Sequence, residues 1–300
     1  MARSDNMTGA FLMMASMAAF TVNDTFMKSL AGEVPLFQLL FLRGILTTIA
    51  VGLIAWWMGA IRANVPRRDW AAIGLRMVGE IGAAYFFLTA LFHMPIANVT
   101  AILQAIPLTI TLAAAVVFRD PLGWRRMGAI VLGFVGVLLI VRPGTEDFNA
   151  YSFYVLAAVG FVTLRDLSTR ALSRGTPSMF VTLITSISIM VFFGIASLTD
   201  DWVAMDARAA GLTAGAAFMI IGGYLFSIMV MRVGEVSFVA PFRYTGLIWA
   251  LVLGWLVFGE WPSPLTFLGA AIIVGSGLFT LYREAQLGRK TKLSRDLRPR

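Results

Sequence analysis

The chain has no cysteine and a single histidine, His93. Disulfides and cysteine-based metal sites are therefore excluded, and too few imidazole ligands remain for a transition-metal centre. Charge is scarce: 13% of residues are Asp, Glu, Lys or Arg, against roughly 25% in soluble domains. No Gly-Lys pair occurs, so no G-x-x-x-x-G-K-[S/T] phosphate loop exists to hydrolyse ATP. No serine–histidine constellation supports nucleophilic catalysis, so an enzyme is not expected, and no cofactor is implied.

Apolar sequence is abundant. Hydrophobic residues make up 59% of the chain and the mean hydropathy is +0.82, which points to lipid as the main solvent. A membrane-crossing helix needs about 20 apolar residues. Ten stretches meet that need: 8–28, 36–59, 70–92, 96–118, 124–141, 151–172, 178–198, 209–231, 236–258 and 265–282. The first is too long for a cleaved signal and a second follows at once, so it counts as a span. Only short connections such as AGEVP and RANVPRRD separate them, and residues 283–300 form a basic tail.

The net charge of +8 would suit nucleic acid, but its placement argues for a membrane. Arg62, Arg67, Arg68, Arg119, Arg125, Arg126, Arg170, Arg174 and the tail fall on one side of a ten-span topology. The other side holds Arg142 and Arg208. By the positive-inside bias both termini are expected in the cytoplasm.

Residues 21–30, TVNDTFMKSL, are echoed by residues 163–172, TLRDLSTRAL. Thr21/Thr163, Asp24/Asp166, Lys28/Arg170, Leu30/Leu172 and Pro35/Pro177 share an offset of 142, as do Ala129-x-x-x-Gly133 and Ala271-x-x-x-Gly275. VFRDP (117–121) resembles VFGEWP (257–262) at an offset of 140. Each unit, 8–141 and 151–282, contains five spans, an odd number, so the second enters the membrane inverted. Inverted repeats are a recurrent construction of secondary transporters, with substrate bound near the midplane.

With Lys28 closing the first span, Arg43 early in the second, Pro107 in QAIPLTI and an acid (FRD, FGE) before the Gly/Ala-rich fifth and tenth spans, the chain resembles the EamA-type drug/metabolite transporters. The ninth span departs from the pattern, with Pro241 early and Arg243 after it. The resemblance implies a secondary transporter of small metabolites in a bacterial inner membrane, with amino-acid export prominent. Multidrug and phosphorylated or nucleoside-type metabolite transport are the alternatives on the same fold.

An ionisable side chain at the centre of a span costs roughly 2.5–3.5 kcal/mol, so each needs a reason. The i,i+4 spacing pairs Asp24 with Lys28, Asp166 with Arg170 and Arg76 with Glu80. Arg43, Arg165 and Arg243 are left without a local partner. Arg243 and Arg165 are the expected carboxylate anchors of a substrate, with Gln104, Tyr85, Tyr224, Tyr244 and Trp249 as further candidates to line its pocket. Asp24, Lys28, Arg43, Glu80, Asp166 and Arg170 are candidates for gating or proton coupling. Tryptophans 56, 57, 70, 124, 202 and 261 stand at span ends, as interfacial belts do. The small-xxx-small pairs serve either internal packing or a dimer, and a monomer suffices for transport. The expected partners are therefore the bilayer and a small-molecule substrate.

Overall fold

The computed structural model describes residues 3–62, 65–120, 122–145, 148–173, 175–233 and 236–296, all helical or irregular, with no strand among them. Pro121, Arg174 and the last four residues of the tail lie outside the described residues.

Among the described residues twelve α-helices follow one another: α1 Arg3–Lys28, α2 Leu36–Trp57, α3 Asp69–His93, α4 Ile96–Leu103, α5 Ile106–Val117, α6 Trp124–Val141, α7 Tyr151–Arg170, α8 Ser178–Ala196, α9 Ala207–Val233, α10 Val236–Val239, α11 Thr245–Phe258 and α12 Pro264–Asp296. Prolines set several starts. Pro35, Pro95 and Pro177 precede α2, α4 and α8, where a missing N–H costs nothing. Gly259 ends α11 with φ of 65°, a left-handed turn that aims the next residue, Glu260, back at the bundle.

Among the described residues, nine helical segments are long and apolar enough to cross a membrane. The expected sixth span is α7. It has the length, 20 residues, but Arg165 and Asp166 dilute its apolar character. It packs along α3, and α1 packs likewise along α9, α6 along α12 and α2 along α8. Inside the helices, Thr21, Thr25 and Ser29 donate to carbonyls four residues back, which satisfies their hydroxyls without water.

Two expected continuous spans are broken. The fourth divides at Gln104–Ala105, just before Pro107, into α4 and α5. The ninth divides into α10, a 3-10 turn over Ala240–Tyr244 containing Pro241, and α11. α4 packs on α11, whereas α5 packs on α7 and the 3-10 turn packs on α1. The two broken helices thus converge at one end and part at the other.

Apolar packing follows the same asymmetry. Two large clusters sit at the end of the molecule marked by Lys28. One holds Met27, Leu30, Leu39, Leu91 and Phe193. The other holds Met94, Ile102, Val141, Val155 and Ile273. The opposite end has a smaller cluster of Met13, Val230 and Val239.

Candidate functional site

Close helix approach brings charge together at the middle of the bundle. A Cβ on Gly79 of α3 would stand 2.8 Å from the backbone nitrogen of Arg165, so glycine there lets α3 and α7 touch main chain to main chain. Glu80 and Arg165 consequently meet: the Arg165 Nη1 donates to Glu80 Oε1 at 3.4 Å and its Nε to Asp166 Oδ1 at 2.8 Å. The Tyr224 hydroxyl, from α9, donates to the same Glu80 oxygen at 3.4 Å. Arg76 lies 3.8 Å from Glu80 Oε2, the expected i,i+4 pair, and bonds Thr169 of α7 as well. Glu80 Oε2 itself accepts no hydrogen bond among the described residues.

A second group joins α1 to α2. Arg43, buried, donates to Asn23 Oδ1 at 3.1 Å, and the Asn23 amide donates to Asp24 Oδ1 at 2.9 Å. Arg43 therefore has its partner in the helix before it rather than at the surface.

Arg243 differs from these. It stands in the 3-10 turn that interrupts the ninth span, exposed, with no hydrogen bond or ion pair among the described residues. The charges acting on it are Asp166, attracting, and Arg165, repelling. Arg165 and Asp166 are themselves partly accessible. An exposed guanidinium thus stands within electrostatic reach of a second guanidinium and a carboxylate, both partly accessible.

Two expected pairs are wrong. Lys28 does not pair with Asp24, nor Arg170 with Asp166. Lys28 Nζ donates to Glu260 Oε1 at 2.5 Å and to the Met94 carbonyl at 2.6 Å, and stands 4.9 Å from the Phe258 ring centre. Glu260 Oε2 accepts from the Ile96 N–H at 3.0 Å. At the other end Arg170 grips Asp120 through two bonds of 2.8 and 3.2 Å and lies over Phe118 at 4.6 Å. Each cation reaches across the molecule because a helix-end lysine or arginine extends past its own last turn, and the acid waiting there follows the broken span of the other half.

The pocket candidates scatter. Tyr85 packs against Phe37 and Phe86. Gln104 caps α4 at the break, partly accessible and without a side-chain bond among the described residues. Tyr244 is buried with its hydroxyl over Gly277. Trp249 stands on α11 between exposed Ile248 and buried Ala250 and, among the described residues, makes no ring contact or hydrogen bond with the cluster. Asn23, Asp120 and Glu260 were missed as partners. The FRD and FGE echo marked two of them, but sequence proximity favoured intrahelical pairing. Two well-formed surface concavities lie elsewhere. One, ≈ 610 Å³, is lined by Ile248, Leu251, Val252, Trp255 and Trp261 and has no charged lining residue. The other lies beside Trp124 and Arg125.

The family model described as "EamA-like transporter family" matches residues 7–142 and again 149–282. The chain belongs to that family. This EamA-like protein is a multi-pass membrane transporter of small metabolites and not an enzyme. It is similar to the S-adenosylmethionine uptake transporter of Rickettsia prowazekii (strain Madrid E), with 23% identity covering 93% of this chain and 94% of the relative. The riboflavin transporter of Vibrio cholerae shares 29% identity over 71% of each chain. The pseudopaline exporter CntI of Pseudomonas aeruginosa shares 24% over 89% of this chain and 93% of its own. A solved crystal structure with 18% identity superposes with a TM-score of 0.62 over 94% of this transporter and 99% of that chain, a likeness of fold.

Proposed function

We propose that this transporter carries small zwitterionic metabolites with an amino-acid head group, neutral or aromatic amino acids foremost, and exports them. The observation that carries the reading is Arg243, an exposed guanidinium with no hydrogen bond or ion pair among the described residues, under the electrostatic influence of the partly accessible Asp166 and Arg165. A planar guanidinium holds a carboxylate through two parallel bonds, and the neighbouring Asp166 suits an ammonium. A phosphate dianion would also suit two arginines, but Asp166 and Glu80 beside them disfavour it. The name of the Rickettsia relative contains an amino acid, which fits.

The mechanism is alternating access by two inverted five-helix halves. Support comes from the family model's two matches and from the packing: exchange of the halves turns the α1–α9 contact into α7–α3 and maps α2–α8 and α6–α12 onto themselves. Exchange also turns Lys28–Glu260 into Arg170–Asp120. The two clasps differ in state. Lys28 and Glu260 have side chains 9% and 23% exposed, against 52% and 40% for Arg170 and Asp120. With the larger apolar clusters at the Lys28 end, the cavity opens towards the end that carries the basic connections, read as cytoplasmic.

Counterflow tests this. Proteoliposomes preloaded with one unlabelled amino acid at a time receive traces of labelled substrate outside. Accumulation with neutral and aromatic amino acids, abolished by Arg243→Ala, is the expected result. No accumulation across the panel, with exchange of sugar phosphates or dyes instead, overturns it.

A further inference from the structure

At the end opposite Lys28, the start of α6 and the late part of α12 stand side by side and enclose a groove of ≈ 510 Å³. Its wall combines Trp124, Arg125, Phe279, Tyr282, Arg283 and Gln286, with Gly128 at the floor. A Cβ on Gly128 would meet nothing within 4 Å, so the floor is open rather than filled by a neighbouring helix. Trp124, Phe279 and Tyr282 are exposed, which a membrane protein tolerates only where lipid covers them.

The polar part is arranged. Arg283 Nη1 donates to Gln286 Oε1 at 2.9 Å, and the Gln286 amide donates to the Tyr282 hydroxyl at 2.8 Å, so one face of α12 is held as a unit. Arg125 lies 5.2 Å from the Trp124 ring centre. No acid is among the described residues that line the groove. Beyond it α12 runs on as helix to Asp296, where the sequence LGRKTKLSRD adds cations of the same sign.

We propose that this groove binds the phosphate headgroup of an anionic phospholipid between Arg125 and Arg283, with an acyl chain laid over Gly128 and Phe279. Charge complementarity selects the occupant. Two guanidiniums without a lining carboxylate attract a phosphate monoanion, and the ring-lined apolar floor continues away from them, as a lipid tail requires. A free anion uses only the first feature. A zwitterionic headgroup brings its own cation to a site whose described lining residues hold no carboxylate to receive it. The site is separate from the substrate cavity, since none of its residues belongs to the charged cluster around Glu80.

The test uses the full-length protein in nanodiscs of pure phosphatidylcholine or with a fraction of phosphatidylglycerol, read by thermal unfolding and by native mass spectrometry. Phosphatidylglycerol is expected to raise the midpoint and to remain bound. Arg125→Gln with Arg283→Gln should weaken retention roughly tenfold while leaving the midpoint in phosphatidylcholine unchanged. Arg67→Gln with Arg119→Gln removes the same charge from the same end and should leave retention intact. Equal loss in both double variants would mean a diffuse basic field and would overturn the proposal. So would inorganic phosphate in detergent reproducing the whole stabilisation, or a double variant that binds phosphatidylglycerol as the parent does.

Discussion

A guanidinium within a membrane bundle is costly unless something repays its desolvation, and Arg43, Arg76 and Arg165 each have partners within 4 Å. Arg243 has none among the described residues, so the substrate is the group expected to complete it. Arg243→Ala should lower transport by at least ~100-fold at limiting substrate, while Arg243→Lys, which keeps the charge but loses the fork, should retain a part. Equal rates for parent and Arg243→Ala in counterflow would remove the anchoring role. Glycines also act at this scale. A Cβ on Gly269 would stand 2.5 Å from the Gly136 carbonyl oxygen, main chain against main chain, whereas one on Gly275 would meet nothing within 4 Å. Gly269→Ala should therefore destabilise by about 1–3 kcal/mol and Gly275→Ala should be neutral, as thermal unfolding would show. The small-xxx-small expectation is thus internal for Gly133, which faces Leu108 and Ser276, and empty for Gly275.

Between elements, the clasps are the features that movement must break. Removing one partner of a largely buried pair costs about 3 kcal/mol, somewhat less here because Glu260 keeps some exposure. Glu260→Gln should loosen the Lys28 end, so a cysteine placed at buried Leu91 should react with a thiol reagent about tenfold faster. Unchanged labelling would mean that the apolar clusters alone seal that end. The other clasp sits outside the spans. The Arg170 hydrogen bonds hold the Asp120 carboxyl below its ordinary 3.8. A depressed value means that the clasp is complete above the ordinary value and is lost only as pH falls through the lowered one. Transport should accordingly show no inflection from Asp120 between about pH 5 and 8, and Asp120→Asn should leave the shape of the pH profile over that window unaltered.

For the molecule as a whole, the number of crossings decides topology. Ten spans, α7 included, leave both termini on one side; nine would separate them. The absence of native cysteine makes the experiment clean. Arg67→Cys should react only after permeabilisation and Asp201→Cys in intact spheroplasts, with terminal epitopes both protected. An N- and C-terminus on opposite sides would remove α7 from the membrane and with it the two-fold scheme.

Class and the position of most helix ends follow from composition and from proline and glycine punctuation, because a span has to satisfy its backbone internally and little else competes. The echo of TVNDTFMKSL in TLRDLSTRAL likewise named four of the charged residues that matter. What the one-dimensional pattern could not decide was who pairs with whom. Spacing of i,i+4 linked Asp24 to Lys28, but the side chain at a helix end points past the helix, and Glu260 reaches it only because Gly259 turns the chain back and α11 packs on α4. Nor could it show that Pro107 and Pro241 break their helices, or that the freed turn leaves Arg243 open beside Asp166. Those facts depend on contacts between residues far apart in the chain, and only the tertiary packing brings such residues within reach of one another.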